Sequence, residues 1–408
     1  MLRTKIPKSD IPILCVCIGI FVLPYVLRNR LIGSYALLNL FSYGGLLYAL
    51  NQNVIQQPKL KRNNFLKCLF ALIYVCLCSI ILFYIKGTGW SFTRRFLLLF
   101  VYVFPAAFIY MNLEEDKIKI RYCIIWVKCL RTVCTMMCIA KVMDLLLNNA
   151  IQKMFATFYK SNTLLYLIRS GRFVSYYGHA LNTAWFSLTL LVWTTVVHNF
   201  SDNKSKYYVY DIIIAIIGIA IAGSKSGLIL ALLLLLLCNI GIRKIKYMIS
   251  ILLGFSVLYV TGVFDTVIGR ILEGLRVGDL STSRNTALER LLKSGTISFD
   301  WLKGHVIDYD GTSMIAALEY PFLRWAFTCG IVFTIIIYIA YFLIPIIKAL
   351  KSFNVVVIIC VLVFMAFVNG NNGISSYSDD LLFYSINIGL LLQLLSINKK
   401  RNRNNGKD

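Results

Sequence analysis

Long apolar runs, separated by short polar segments, follow one another along most of the 408-residue chain. A helix that crosses a bilayer needs about 20 mostly apolar residues. On this rule the pattern predicts twelve spanning helices, at residues 11–27, 31–50, 65–85, 95–111, 122–147, 180–198, 208–222, 226–240, 247–264, 322–347, 354–369 and 380–397. The expected fold class is therefore all-α: a polytopic membrane protein whose residues 1–397 form a single transmembrane helical domain.

Three of the predicted helices differ from ordinary lipid-facing spans. The fifth is interrupted by four charged residues, Lys128, Arg131, Lys141 and Asp144. Ionisable residues within a span usually face the bundle interior or a water-filled cavity. The seventh and eighth are short, and we expect them to form a pair bent around residues 223–225.

The distribution of lysine and arginine between the predicted loops sets the orientation. With the N-terminus inside, the cytoplasmic segments contain 21 of these residues, whereas the short external loops contain 5. Cytoplasmic loops of membrane proteins accumulate positive charge. We therefore expect a multi-pass protein of the cytoplasmic (inner) membrane with both termini cytoplasmic and a basic, disordered tail at 398–408. The first apolar run lacks a small-residue cleavage site and is expected to be retained as a span.

Composition agrees with a membrane protein and narrows the possible partners. Hydrophobic residues make up 59% of the chain and charged residues 15%, against roughly 25% charged in a soluble domain. A net charge of +24 would suggest nucleic acid in a soluble protein, but here loop topology explains most of it. We expect no nucleic-acid partner. The twelve cysteines all lie in apolar segments without metal-ligand spacing, so we expect neither a disulfide nor a metal.

Two long external loops, 148–179 and 265–321, carry positive charge that cytoplasmic retention does not explain. They contain ten basic residues: Lys153, Lys160, Arg169, Arg172, Arg270, Arg276, Arg284, Arg290, Lys293 and Lys303. Arginine predominates, and its planar guanidinium suits bidentate recognition of phosphate. This charge indicates a phosphate-bearing substrate, a solvated face, or contact with anionic lipid headgroups.

The second long loop has the pattern of a folded segment. Apolar residues at helical spacing precede Gly278 and Gly295, which predicts two amphipathic helices near the membrane surface. Their apolar stripes are Ile268, Ile271, Leu272 and Leu275 in one helix, and Leu288, Leu291 and Leu292 in the other. Their polar sides would present Arg270, Arg276, Arg284 and Arg290. Each arginine is thereby a candidate phosphate ligand.

The same loop ends in groups that can accept a proton. His305 follows the second predicted helix, and Glu319 lies at the entry of the next span. Either could act as a general base, which must lie within hydrogen-bond reach of the proton it removes. The alternatives are a structural histidine and an ion pair between Glu319 and Arg324.

Three stretches resemble motifs of the O-antigen polymerase and ligase family. Gly171–Asn182 leads into a membrane helix, with Ala-Leu-Asn where the family has Pro-Asn. Ala222–Gly227 is similar to the family's Gly-Ser-Arg-Ser/Thr turn, with Lys225 in the arginine position. The third stretch comprises Ser283-Arg284, Gly304, Glu319 and Gly330-Ile331. The chain lacks the His-Asn pair of the ligase branch, which favours a polymerase.

The resemblance implies a glycosyltransferase without a metal or other cofactor. It would join polyprenyl-diphosphate-linked oligosaccharide repeat units into capsule or O-antigen on the outer face of the membrane, among membrane lipids and other glycan-assembly membrane proteins. A diphosphate leaving group needs fixed cations where negative charge develops. The candidates are Arg284, Arg172, Lys225, Arg276, Arg290 and Arg270 for the diphosphate, and His305, Glu319 and His179 for the base.

Structural roles compete with these assignments, and other functions compete with the polymerase. Lys225 would otherwise cap or anchor a helix end, Arg172 would bind headgroups, and His179 would cap the sixth helix. Two rival functions are a ligase of the same family and a flippase for lipid-linked oligosaccharide, although flippases commonly have two similar halves and no duplication is visible. A non-catalytic scaffold would tolerate replacement of the loop arginines.

Overall fold

The computed structural model describes residues 7–50, 62–84, 91–110, 116–200, 206–238, 249, 256, 259–260, 262, 264–278, 288–290, 293, 300–302, 320–370 and 379–405. Within these ranges every named secondary-structure element is a helix, which confirms the all-α fold class. The chain divides into two compact units. The first comprises 1–126, 284–353 and 372–408, and the second comprises 127–283 and 354–371.

The α-helices are named in chain order. They are α1 (Ile11–Cys17), α2 (Tyr25–Ile32), α3 (Leu40–Leu50), α4 (Arg62–Tyr84), α5 (Phe92–Tyr102), α6 (Ala106–Tyr110), α7 (Asp116–Leu146), α8 (Ala150–Phe158), α9 (Asn162–Arg169), α10 (Ala180–Phe200), α11 (Tyr208–Ile221), α12 (Lys225–Cys238), α13 (Asp265–Val277), α14 (Pro321–Cys329), α15 (Ile331–Tyr338), α16 (Ile344–Leu350), α17 (Val355–Gly370) and α18 (Asp380–Asn405). Short 3₁₀ or π segments occupy Lys8–Asp10, Ile18–Val22, Gly33–Leu37 and Ile339–Leu343.

Several of these helices suit a bilayer. In the described part of the chain, four are long and apolar enough to cross a membrane: Asp116–Leu146, Ala180–Phe200, Ile331–Leu350 and Asp380–Ile397. A fifth results if Lys8–Val22 and Tyr25–Leu37, which are bent by 75°, count as one span. Shorter apolar helices include α11, α12 and α17. These helices are consistent with a membrane protein, whereas the number twelve stays a prediction.

The predicted boundary between the first two helices is wrong. A π segment ends at Val22, Pro24 precedes α2, and α2 runs through residues 28–30 that the sequence pattern assigns to a loop. Proline has no N–H and cannot continue the helical hydrogen bonding. The bend leaves the carbonyls of Gly19 and Leu23 without helical partners, and Arg28 Nη1 donates to both, at 3.2 and 2.6 Å.

Arg28 also forms a buried ion pair that the sequence pattern does not indicate. Its Nη1 and Nη2 atoms lie 2.9 and 2.8 Å from the two carboxylate oxygens of Asp379, the residue before α18. Asn39 Nδ2 donates to the same carboxylate at 3.3 Å and to the Gly19 carbonyl at 3.1 Å. A planar guanidinium with five donors can satisfy a carboxylate and a helix bend together. This network fixes the bent helix pair to α18.

The predicted helix 322–347 is broken at Gly330, which has φ +87° and ψ 162°. Ile331 N and Val332 N donate to the carbonyls of Asp300 and Trp301, both at 3.1 Å. A Cβ at Gly330 would lie 3.0 Å from the Trp301 carbonyl oxygen. The glycine therefore allows the 300–302 segment to contact the helix break directly.

Two further expectations concern the loop helices and the tail. The first amphipathic loop helix is confirmed as α13, which ends at Gly278 with φ +70°. Residues 288–290 of the second are helical, and Leu288 packs on buried Phe327. The expectation of a disordered tail is wrong for residues 398–405, because α18 continues to Asn405.

The second unit is built around the antiparallel pair α10 and α11. Thr194, near the end of α10, donates to Asp211 at the start of α11 at 3.3 Å. Near the end of α11, a Cβ at Gly218 would clash with Ser187 Oγ. Only glycine fits at this approach. Helix α17 packs beside the pair, and its Phe367 ring stacks on Trp185 with centroids 4.8 Å apart.

Candidate functional site

A turn at residues 222–224 separates α11 from α12, at the point where the sequence predicts a bent pair. Gly223 has φ +63°, the left-handed conformation that commonly ends a helix. Gly223 N donates to Ala220 O at 2.9 Å and Ser224 N to Ile219 O at 3.5 Å. These two bonds form a Schellman motif, which closes α11.

Ser224 then begins the next helix. Its Oγ accepts from Gly227 N at 3.1 Å, and its carbonyl accepts from Leu228 N at 3.1 Å. A serine side chain at this position satisfies one of the otherwise unbonded N–H groups at a helix start. Lys225 is the first residue of α12 and is half-buried. The helix dipole makes this terminus favourable for an anion.

Two arginines predicted as phosphate ligands converge on the same turn. Arg172 Nε donates to the Ala222 carbonyl at 3.0 Å, and Arg270 Nη1 donates to the Gly223 carbonyl. The last carbonyls of a helix lack intrahelical partners and carry the negative end of the dipole. The turn therefore orients two guanidinium groups at the end of α11, with Arg172 coming from the loop before α10 and Arg270 from α13.

A fourth cation, Lys141, lies over the ring of Phe173, the residue after Arg172, and was not among the predicted site residues. Phe173 N donates to the Ile221 carbonyl at 3.0 Å, and the Lys141 Nζ atom lies 5.7 Å from the centroid of the Phe173 ring. Lys141 is half-buried. One indication for Lys141 was present in the sequence: it lies inside a predicted span, where an ionisable residue usually faces the bundle interior.

A buried polar network holds the segment that carries Arg172. Asp144 at the end of α7 accepts from Gln152 N at 3.1 Å and also from Gln152 Nε2. Gln152 Oε1 accepts from Val174 N at 2.8 Å. All three residues are buried. Because a buried carboxylate needs hydrogen-bond donors, this network fixes residues 172–174 against both α8 and the end of α11.

His179 lies directly before α10 and caps it. Its Nδ1 accepts from Leu181 N at 3.1 Å. Burial, with a smaller contribution from the Arg172 charge, lowers the pKa of His179 to about 4. The imidazole is therefore neutral at pH 7 with its proton on Nε2. To act as a general base, His179 would have to lose the hydrogen bond that its Nδ1 accepts from Leu181 N. The structure therefore supports the alternative role, in which His179 caps α10.

The remaining predicted site residues are not part of this cluster or lie outside the described residues. Arg276 is exposed in the last turn of α13, and Arg290 is exposed in the first unit. Arg284, His305 and Glu319 lie outside the described residues. In the described part of the chain, no group of three or more His, Cys, Asp or Glu side chains could hold a metal ion.

The arrangement is suited to holding an anion. Arg172 and Arg270 bind the end of α11, Lys225 begins α12, and Lys141 lies over the ring of Phe173, which follows Arg172 in the sequence. Oriented cations and an N-terminal dipole bind phosphate oxygens strongly. No family model, curated protein or solved structure matches the chain. The family resemblance stays a prediction from the three motifs.

Proposed function

We propose that the chain polymerises polyprenyl-diphosphate-linked oligosaccharide repeat units into a surface polysaccharide, capsule or O-antigen, on the outer face of the cytoplasmic membrane. The proposal includes twelve spans, cytoplasmic termini and a large external loop at 265–321. The diphosphate of the donor binds at the turn between α11 and α12.

The observation that carries the proposal is the convergence of Arg172, Lys225 and Arg270. The sequence interpretation selected these residues as diphosphate ligands from three separate stretches of the chain. Arg172 and Arg270 donate to consecutive carbonyls of the turn 222–224, and Lys225 is the residue directly after that turn. Such a convergence supports a shared ligand of negative charge.

The arrangement of helix ends agrees with the proposed topology, which puts these segments on one side of the membrane. The proposed topology places the end of α7, the start of α10, the turn 222–224 and α13 on the external side. These segments and the predicted external loop 148–179 contact one another through Asp144–Gln152, Phe173–Ile221 and Arg270–Gly223. Arg131, earlier in α7 than Asp144, and Thr194, near the end of α10, instead bind Asp211 at the opposite end of α11.

The reaction assigned to the site is a glycosyl transfer. A hydroxyl oxygen of the acceptor unit attacks the anomeric carbon of the donor glycan, a glycosidic bond forms, and the bond from that carbon to the phosphate oxygen breaks. The polyprenyl diphosphate leaves with the bonding pair. Lys225, Arg172 and Arg270 stabilise the charge that develops on it. A general base receives the hydroxyl proton, and His305 and Glu319 remain its candidates.

The test compares variants in cells that depend on this chain for their surface polysaccharide. Lys225→Gln removes a cation at a helix position where glutamine is well tolerated, and Lys225→Arg restores the cation that the resembled family carries. Lys128→Gln is the matched control, because Lys128 is an exposed lysine on α7. Protein abundance and membrane insertion are measured for each variant, and the glycan is separated on a gel.

The polymerase proposal predicts that Lys225→Gln loses long glycan and accumulates single repeat units on lipid, while Lys225→Arg and Lys128→Gln keep the ladder. Arg284→Ala and Arg284→Lys test the remaining cation in the same assay, and both should shorten the glycan. Finished polymer retained on the carrier would instead identify a ligase. Repeat units trapped on the cytoplasmic side would identify a flippase. An unchanged ladder in Lys225→Gln would reject the diphosphate site.

A further inference from the structure

Helices α8 and α9 form a compact amphipathic hairpin outside the cation cluster. Lys160 N donates to Thr157 O at 3.1 Å and Ser161 N to Ala156 O at 3.2 Å, which closes α8 in a Schellman motif. Ser161 Oγ accepts from Leu164 N and begins α9. The inner faces of the two helices bury Ala156, Leu164 and Leu167 against Val174.

The hairpin is fixed to the rest of the second unit through its inner face. Tyr159 Oη donates to the Tyr176 carbonyl at 2.6 Å. Gln152 in α8 binds both Asp144 and Val174, as described above. A surface on a hairpin held this way keeps a defined orientation, because its buried contacts prevent it from rotating.

The outer face of the hairpin combines exposed apolar side chains with exposed cations. Met154, Phe158, Leu165 and Tyr166 are exposed to 58%, 47%, 37% and 69% respectively. Lys153, Lys160 and Arg169 are exposed on the same two helices or the turn that joins them. No aspartate or glutamate occurs in the sequence between Asp144 and Asp202. This is the composition of a helical segment that lies in the interface of an anionic membrane.

Lys160 is an unusual residue for its backbone position. It adopts φ +51° at the left-handed position that ends α8, where glycine is the usual residue because it has no Cβ. The lysine is strained there, and its side chain places an exposed charge at the tip of the hairpin. The chain therefore keeps a cation at this point at the expense of backbone strain.

We propose that the outer face of the α8–α9 hairpin binds the anionic phospholipid headgroups of the membrane in which the chain lies. Lys153, Lys160 and Arg169 contact headgroup phosphates. Phe158, Leu165 and Tyr166 contact the boundary between headgroups and acyl chains, where aromatic side chains are enriched. This lipid surface does not depend on the proposed polymerase, and either can fail without the other.

The test is hydrogen–deuterium exchange of residues 150–170 in the full-length protein, reconstituted in nanodiscs of phosphatidylcholine alone or mixed with phosphatidylglycerol. In the wild type, adding phosphatidylglycerol should slow hydrogen–deuterium exchange of the hairpin amides. The expected slowing is about fivefold or more for each basic side chain that binds a headgroup. About 0.5 M salt should remove the difference, because it shortens the screening length.

Lys160→Gly removes the charge without disturbing the backbone of the turn. Glycine suits the left-handed backbone, so this variant should melt no lower than the wild type while losing about fivefold of the protection by phosphatidylglycerol. Thr157→Gln, a neutral change at an exposed position on α8, should keep the full protection. Equal exchange in both lipid compositions would overturn the proposal. Protection by an acidic protein but not by phosphatidylglycerol would also overturn it, in favour of a protein partner.

Discussion

Arg172 and Arg270 donate to consecutive carbonyl oxygens, those of Ala222 and Gly223, although they come from different segments of the chain. Each arginine therefore has a structural role at the end of α11 as well as the proposed role in binding diphosphate. Replacing either one removes a cation and also leaves a buried carbonyl without its donor. Lys225 is the first residue of α12, where glutamine is well tolerated, so Lys225→Gln is the substitution used to test function.

Gly223→Ala should disorder the turn that orients the two arginines. A residue with a Cβ pays about 1–2 kcal/mol in the left-handed conformation, and Gly223 has φ +63°. The melting temperature in detergent and the glycan ladder should both fall, and Gly223→Asn should be milder because asparagine tolerates this conformation. Gly269→Ala is the control: it lies within α13 with no atom near its added Cβ, so it should melt at or above the wild-type temperature.

Gly330→Ala should detach the 300–302 segment from the break between α14 and α15. The φ and ψ of Gly330 fall in a region that is nearly restricted to glycine, and a side chain there costs of the order of 1–3 kcal/mol. The amides of Ile331 and Val332, which donate to Asp300 and Trp301, should exchange faster with deuterium. Gly44→Ala has no atom within 4 Å of the added Cβ and should leave these amides unchanged. Unchanged exchange in Gly330→Ala would refute the contact.

The ion pair between Arg131 and Asp211 should behave as a buried pair. Its atoms lie 2.5 and 2.8 Å apart, and the Asp211 side chain is 2% exposed. Arg131→Met alone should destabilise the protein by about 3–5 kcal/mol, because a buried carboxylate loses its cationic partner. The double variant Arg131→Met/Asp211→Leu should recover most of that loss. Denaturant unfolding in detergent gives both values, and a double variant no better than the single one would contradict the interpretation.

His179 should make the second unit sensitive to acid. Its pKa is about 4 in the folded protein and about 6.5 when unfolded, so the unfolded chain binds more protons between these values. Its contribution to stability is therefore present above about pH 6.5 and is lost as pH falls toward 4. His179→Asn keeps an oxygen that can cap α10 but does not titrate. The fall in melting temperature from pH 7 to pH 4.5 should be smaller in this variant, and equal falls would contradict the lowered pKa.

The apolar pattern predicted the fold class and most helix positions in the described part of the chain, because bilayer-scale helices leave a long periodic signal. It failed where a helix breaks inside an apolar run. Pro24 and Gly330 both lie within predicted spans. A single proline or glycine leaves the mean hydropathy of the surrounding residues high, so neither break is visible in the apolar pattern. Arg28 was assigned to a loop because its burial depends on Asp379, which is distant in sequence.

The candidate site was predictable in part. Three of its cations were chosen from charge on the predicted external side and from resemblance, and the fold brings them to one turn. Lys141 was seen only as an interruption of a span, since its position beside Phe173 depends on the packing of α7. The Asp144–Gln152 network was not foreseen, because a lone glutamine in a loop gives no signal of the carboxylate that it binds.

The central claim is that a lipid diphosphate binds at the turn between α11 and α12. The most direct measurement is photo-crosslinking of a polyprenyl diphosphate analogue to the purified protein, followed by peptide mapping. The account predicts adducts within residues 172–179 and 222–226, reduced about tenfold by Lys225→Gln and unaffected by Lys128→Gln. Adducts confined to other residues, or adducts at this turn that Lys225→Gln does not reduce, would contradict it.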